Sequence, residues 1–311
     1  MAATLAIVNP KSNGGRTARR WARIEAQVRR SFEDDVDVSF TQGPGDAERL
    51  ACEGARAGAR RIVVAGGDGT ASEVATGLLA AGLAGRTAIG LLPLGTGSDF
   101  ARSLGLPREP GRALVRIARG AVRKLDVGRL ALVGDEGRQS VRYFLNVASA
   151  GLSGSVDRIM QEQPTQLGGA AAFLVATLRA LARWRDVHCR VELDGALLHD
   201  GPVVLVAAAN ASCFGSGMRI APHAASDDGR LDVLVIRSIS KARLLANLPR
   251  VYFGGHVGHP AVLYRQGRSV RLETDKGELP LDVDGEPFSA RSVQVDLLAG
   301  AIQVLGAERA L

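Results

Sequence analysis

At 311 residues the chain is long for one domain and comfortable for two, and 46% hydrophobic with 23% charged residues is the make-up of an ordinary globular protein with a sizeable core. Its formal net charge of +7 is uneven: residues 1–126 hold 19 Lys and Arg against 13 Asp and Glu, a net of +6, and the remainder nets +1. The first part therefore attracts anions, but only 4% of residues are aromatic and no stretch interleaves aromatics with basic side chains, which excludes nucleic acid in favour of nucleotide phosphates and anionic lipid headgroups.

Taken in order, TLAIV at 4–8 predicts a strand and NPKSNGG at 9–15 a turn. RTARRWARIEAQVRR puts Trp21, Ile24 and Val28 on one helical face, a surface helix covering a sheet in preference to one lying on a membrane. Strand-like DVDVSFT at 35–41 and helix-like DAERLACEGARAGA at 46–59 lead to RIVVAGGDGTASEVATGLLAA at 61–81, which reads as strand, tight glycine loop, helix. RTAIGLLPLGTGSDFARSLGL at 86–106 repeats that grammar. Alternating strands and helices predict a parallel sheet covered on both faces, with ligands at the carboxyl ends of its strands.

The loop at Gly66–Thr70 is the natural place for phosphate, because loop amides and a helix N-terminus converge there and glycine lets the backbone approach a ligand. It is neither GxxxxGK[ST] nor GxGxxG. Asp68 inside it would repel phosphate unless a divalent cation sits between them, which suggests a nucleotide bound with Mg2+; the competing reading is an aspartate that only caps the following helix.

From residue 127 the grammar changes. VGRLALV, SVRYFLNVASAG, HCRVELDG, GPVVLVAAAN, RLDVLVIRS, RSVRLET and SVQVDLL are short runs between tight turns, predicting an antiparallel β-sandwich. GGAAAFLVATLRALARW at 168–184 is a helix expected to pack on the sandwich, with lipid contact or the edge of an acyl-chain pocket as the alternative; 241–253 is a second, partly basic helix. Cys52, Cys189 and Cys213 form no C-x-x-C pairing, so a reducing cytoplasm fits. No run reaches the length of a membrane span and the first residues lack a signal-peptide pattern, so the expectation is a cytoplasmic protein, at most peripheral at the inner membrane face. His256 and His259 lie three apart without an evident third ligand, which favours a loop contact over a metal site.

NPKSNGG at 9–15, GGDGT at 66–70 with Glu73 after it, PLGTGSDFAR at 93–102, NVASAGLSG at 146–154, APHAASDDGRLDV at 221–233 and LDVDGEP at 281–287 together resemble the soluble bacterial diacylglycerol kinase-type lipid kinases, related to sphingosine kinases and more distantly to NAD kinases. The resemblance implies an α/β nucleotide-binding domain over 1–126 with an NAD kinase-like parallel sheet, a β-sandwich acceptor domain over 127–311 whose last residues pack back on the first, and ATP in the cleft between them. Carried over by position, Asn9, Pro10, Lys11, Ser12, Asn13, Thr41, Gly66, Gly67, Asp68, Gly69, Thr70, Ala71, Ser72 and Thr96 would contact ATP, with Asp68 serving Mg2+. Asp284 and Glu286 would stand at the acceptor hydroxyl, Glu286 as proton acceptor with its pKa raised by burial or by Asp284. Ala225 and Arg230 through main-chain oxygens and Asp228 through its side chain match a structural Mg2+ site. Ser98 replaces the usual Asn of GT-x-N-DF, which implies retuned contacts to the nucleotide.

The function so implied is ATP- and Mg2+-dependent transfer of the γ-phosphate to a lipid hydroxyl, diacylglycerol giving phosphatidic acid. Phosphatidylglycerol, a sphingoid base or ceramide are alternative acceptors, and the expected partners are a lipid at the membrane surface, ATP and a second copy of the chain. Without the family order, DVDGE is also a plausible acidic hairpin turn. An NAD kinase would have no need of that motif, and a non-catalytic nucleotide- or lipid-binding module would need neither Asp68 nor Glu286.

Overall fold

The computed structural model describes residues 2–95, 98–134, 137–162, 169–215, 217–275 and 277–308. The chain forms two compact units, one made of residues up to Asp126 together with those from Gly300 on, the other of Val127–Ala299.

In the first unit β1 (Thr4–Val8), β2 (Val36–Phe40), β3 (Arg61–Gly66) and β4 (Ala88–Pro93) lie parallel in the order β2-β1-β3-β4, with Leu5 opposite Ile62 and Ile62 opposite Ile89. The end of the chain's last strand adds Gln303 and Val304 in parallel beside Ala88 and Ile89. All five residues of β1 are buried, as a strand covered on both faces must be. Alternation then splits the strand: Ala6 and Val8 join Val63, Ala65 and Leu92 under α1 (Arg16–Ser31) and beside Ala113, Leu114 and Ile117, while Leu5 on the other face meets α2 (Asp46–Arg56) at Gly54. Trp21, Ile24 and Val28 are the buried stripe of α1, each contributing roughly 1.5–3 kcal/mol by leaving water. The surface-helix reading of that segment holds.

After β3 the helix α3 (Asp68–Ala80) starts at Asp68 itself, so Asp68, Gly69 and Thr70 are its first turn rather than part of a loop. Past β4 come α4 (Asp99–Ser103) and α5 (Pro110–Arg119). The sequence reading passed over α5, although its start is signalled by Glu109, whose carboxylate accepts the amides of Gly111 and Arg112, and by proline at the first helical position.

The second unit pairs its strands antiparallel. β5 (Val122–Val133) enters it and pairs with β6 (Gln139–Phe144); then follow β7 (Val147–Gly151), α6 (Leu152–Glu162), α7 (Gly169–Arg183), β8 (Val187–Leu193), β9 (Ala196–Ala209) and β10 (Leu231–Arg237). The remainder is α8 (Lys241–Val251), β11 (Val262–Gly267), β12 (Ser269–Glu273), β13 (Leu279–Val283), β14 (Glu286–Ala290) and β15 (Ser292–Leu305), of which the part from Gly300 belongs to the first unit. The ladder runs β14-β13-β7-β9-β8-β12-β15, with β10 on β9 and β11 on β10. Long β9 serves two neighbourhoods: its first half pairs with β8, its second with β7 and β10.

Two expectations need correction here. SVRYFLNVASAG is two strands, β6 and β7, parted at Leu145–Asn146, and NVASAGLSG runs straight into the unforeseen helix α6. The expected helices at 168–184 and 241–253 appear as α7 and α8, Gly168 lying outside the described residues. Among the described residues no helix is long and apolar enough to cross a membrane.

Candidate active site

The first unit gathers its motif residues at the carboxyl ends of β1, β3 and β4. Asn9, just past β1, donates from Nδ2 to Thr70 Oγ1 at 3.0 Å and accepts the amides of Lys11 and Ser12 on Oδ1, so one side chain ties the first loop to the first turn of α3. Ser12 Oγ lies 2.6 Å from Thr17 Oγ1, and Asn13, Thr17 and Arg20 all donate to the Leu94 carbonyl oxygen. Pro10 lies in the same turn, Lys11 Nζ is held by the Gln42 carbonyl at 2.7 Å, and the Thr41 amide bonds to Val8. Glu73 accepts the Ala47 amide at the start of α2.

Gly66 and Gly67 are pressed against Gly95. A Cβ on Gly95 would stand 2.4 Å from the Gly67 Cα and 3.0 Å from the Gly66 oxygen, a contact no side chain fits. The first amides of α3 have no partner within the helix, whose first turns run on through Ala71 and Ser72. Thr96 lies outside the described residues.

Asp68 does not cap its own helix. Its two carboxylate oxygens accept the amides of Asp99 at 2.8 Å and Phe100 at 3.1 Å, fixing the start of α4. Burial pushes its pKa up to about 6 against those two hydrogen bonds, and the Asp99 charge adds to the rise. Asp99 is itself buried and paired with Arg102 at 2.5 Å. Sequence reasoning quoted Asp99 inside a motif but gave it no role. Ser98 takes the left-handed conformation at φ 49°, which Asn tolerates better than Ser, so the family's usual residue has a backbone reason. Arg20, Arg102 and Arg108 line a polar cavity of about 200 Å³ with Ser98 and Gly95.

In the second unit Asp284 and Gly285, at φ 52° and 89°, form the two-residue turn joining β13 to β14. The acidic-turn reading of DVDGE is thus correct as conformation. The Asp284 carboxylate accepts three amides, from Leu145 at 2.7 Å, Asn146 at 2.9 Å and Val147 at 3.1 Å, and this is what parts β6 from β7. Glu286 opens β14 and is exposed, so the burial expected of it is absent.

Beside the turn lies a pair that sequence reasoning missed. Asp282, on β13, is buried and accepts the Gly285 amide at 2.8 Å; Asp157, on α6, is within hydrogen-bond reach of it. Burial raises both pKa values, and the Asp282 charge adds to the rise at Asp157, so Asp157 keeps its proton at neutral pH. The second oxygen of Asp157 is buried without a hydrogen-bond partner. Both acids line an apolar cavity of about 110 Å³, walled by Val156, Phe173, Leu181, Leu205, Ile236 and Leu248. Nothing local in the sequence pointed to it, because its walls come from stretches far apart in the chain. α7 borders it with Phe173, Thr177 and Leu181.

Asp228 accepts the Arg230 amide at 2.9 Å, closing its own turn. Asp228 and the main-chain carbonyls of Ala225 and Arg230 are oxygen donors, the ligand type that suits Mg2+. Among the described residues no three His, Cys, Asp or Glu side chains form a metal cluster; His256 instead bonds Ile220 through Nε2 and His259 takes the Ala261 amide.

Residues 3–130 match the diacylglycerol kinase catalytic domain, and residues 146–306 match the YegS C-terminal NAD kinase beta sandwich-like domain. A protein of Chromohalobacter salexigens named probable lipid kinase YegS-like is 34% identical over 267 residues, 85% of this chain and 82% of that one. The Bacillus subtilis diacylglycerol kinase is 28% identical over 268 residues, 84% and 83% of the two chains. In fold, a diacylglycerol kinase crystal structure from Bacillus anthracis superimposes with a TM-score of 0.73 at 24% identity, over 97% of this chain and 96% of that one.

Proposed function

Because the chain belongs to the diacylglycerol kinase and YegS family of lipid kinases and is a phosphotransferase acting on a lipid alcohol, we propose that its donor is ATP with Mg2+ and its acceptor diacylglycerol, giving phosphatidic acid. The observation that carries the acceptor reading is the apolar cavity of the second unit, lined by Asp157 and by Asp282, which holds the turn before Glu286 through the Gly285 amide. Apolar walls with a few polar groups among them suit a chain whose reacting end is a hydroxyl. A dinucleotide would find little to bond there.

For the nucleotide, the first amides of α3 would hold phosphate oxygens, and Asn9, Ser12, Asn13 and Thr41 would frame the same loop cluster. Arg20, Arg102 and Arg108 would balance further phosphate charge. Buried Asp68 and Asp99 are hard oxygen donors whose combined charge Arg102 alone does not cancel, which fits Mg2+; bound there, the ion would neutralise charge on the terminal phosphates. The Ala225, Asp228 and Arg230 oxygens would hold a second, structural ion.

In the transfer itself, Glu286 accepts the proton of the acceptor hydroxyl as its oxygen bonds the γ-phosphorus and the bond to the bridging oxygen breaks, releasing ADP. Asp284 contributes by fixing the turn that presents Glu286. Protonated Asp157 orients the acceptor's polar end through its unpartnered oxygen.

The test is phosphate transfer from γ-labelled ATP with Mg2+ to mixed micelles, each carrying one acceptor: diacylglycerol, phosphatidylglycerol, sphingosine or ceramide, with NAD in solution as control. Labelled phosphatidic acid is the expected product. Label in another lipid would correct the acceptor, and label in the dinucleotide alone would refute the acceptor reading.

A further inference from the structure

α8 is a helix without a buried residue. Its apolar side chains either turn into the cavity or stand in solvent: Leu245 is 47% exposed, and directly after the helix Tyr252 is 40% and Phe253 82% exposed. On α7 Leu174 and Leu178, one turn apart, are 48% and 41% exposed. Single exposed leucines are ordinary, but these five belong to adjoining elements. Lys241 Nζ donates to the Ala182 carbonyl at 2.7 Å, and Leu244 packs against the apolar cluster to which Ala176, Ala180 and Leu181 of α7 belong.

The charged residues of these two helices have one sign. α7 carries Arg179 and Arg183, α8 carries Lys241, Arg243 and Arg250, all exposed, and neither helix contains Asp or Glu. The carboxylate just beyond α7, Asp186, already accepts Trp184 Nε1 and Ser238 Oγ. Leu245 is at once a wall of the cavity and half in solvent, so the cavity reaches the surface on this face.

We propose that the α7–α8 face, with Phe253 at its tip, is a docking surface for an anionic lipid bilayer, set where the acceptor cavity meets the surface. Its purpose rests on the lipid-acceptor reading, since an enzyme whose substrate stays in the membrane must meet it there. The physical case is independent of that. An aromatic tip sits well at headgroup depth, exposed leucines enter the acyl boundary, and five cations without an acid are attracted to anionic headgroups. A protein partner would need an acidic groove shaped to receive Phe253; a bilayer needs no such fit.

Co-sedimentation of the full chain with vesicles tests this, using phosphatidylcholine alone and phosphatidylcholine with one third phosphatidylglycerol, without ATP or diacylglycerol, so that binding is read apart from turnover. The wild type should partition onto the anionic vesicles only, and added salt should weaken it. Phe253→Glu should bind at least about tenfold more weakly, and Arg243→Glu or Arg250→Glu roughly fivefold more weakly each. Melting temperatures of all three should match the wild type, and so should their rates on a short-chain diacylglycerol dissolved as monomers. Equal binding of Phe253→Glu and wild type, or equal binding to neutral and anionic vesicles, would overturn the proposal. So would a solution dimer that Phe253→Glu abolishes in a protein that binds no vesicles, which would assign the face to a second copy. Vesicle binding by a wild type that phosphorylates no lipid would uphold the docking surface and refute the acceptor reading.

Discussion

Asp284→Ala should unfold the second unit far more readily than it should disturb the first. The carboxylate lost is the acceptor for three amides, those of Leu145, Asn146 and Val147, and all three residues are buried. Leaving a buried amide unpaired costs roughly 1–3 kcal/mol, and an alanine held at the left-handed φ of 52° adds roughly 1 kcal/mol. Asp284 is only half-buried, so water replaces part of what is lost, and the expected destabilisation is about 3–5 kcal/mol. For a unit of this size that is roughly 10 °C. Asp284→Asn should cost less, about 1–2 kcal/mol, because Asn suits the turn and keeps the oxygen that serves Asn146 and Val147, turning its amide only against Leu145. The chain's two tryptophans make the assay simple: Trp184 is buried in the second unit and Trp21 in the first, so fluorescence in a Trp21→Phe background follows the second unit. Melting of Asp284→Ala within a degree of wild type, or Asp284→Asn as damaging as Asp284→Ala, would refute the reasoning and leave Asp284 a role in chemistry alone.

Three further outcomes follow from the same geometry. Gly95→Ala should lower stability by more than about 2 kcal/mol and weaken ATP binding measured by calorimetry, since its Cβ would meet the Gly67 backbone at 2.4 Å; an unchanged nucleotide affinity would contradict the backbone cradle. For Asp157 the folded pKa lies above the unfolded value through burial and the Asp282 charge, so its contribution to stability is complete below about pH 4 and is lost as pH rises toward the folded value. Asp157→Asn has no proton to lose and should therefore stabilise the second unit at pH 7 by on the order of 3 kcal/mol and flatten its pH dependence, read from denaturation midpoints across pH; an unaltered slope would mean that the pair is not protonated. Ser98→Gly should raise stability by a few tenths to about 1 kcal/mol by relieving the left-handed backbone, and a loss in its melting temperature would place the serine hydroxyl in a bond that matters.

What could be read in the chain divides along physical lines. β1, α1 and β3 were legible because five buried residues in a row, a Trp21–Ile24–Val28 stripe and a β-branched run followed by glycines are local signals. The GGDGT stretch was legible as a place for phosphate but not in detail, since the partner of Asp68 is the start of α4, some thirty residues on. Asp284 shows the same limit: a hairpin turn was a fair reading of DVDGE, while the amides it holds lie 137–139 residues away. Asp157 carries no signature at all, being one aspartate in a short helix, and gains significance only from Asp282 and the cavity. The helix α5 is a different case, because Glu109–Pro110 stood in plain view.

The most direct test of the central claim is the Glu286→Gln variant in the micelle assay, run beside ATP binding by calorimetry. Glutamine keeps the size of the side chain and the Asp284–Gly285 turn but cannot take a proton, and general-base catalysis is typically worth about 10²- to 10⁴-fold. The account predicts that ATP affinity and melting temperature match the wild type while transfer to diacylglycerol falls by at least about a hundredfold. Transfer at near wild-type rate in Glu286→Gln would contradict it, and the proton acceptor would have to be sought among the other carboxylates.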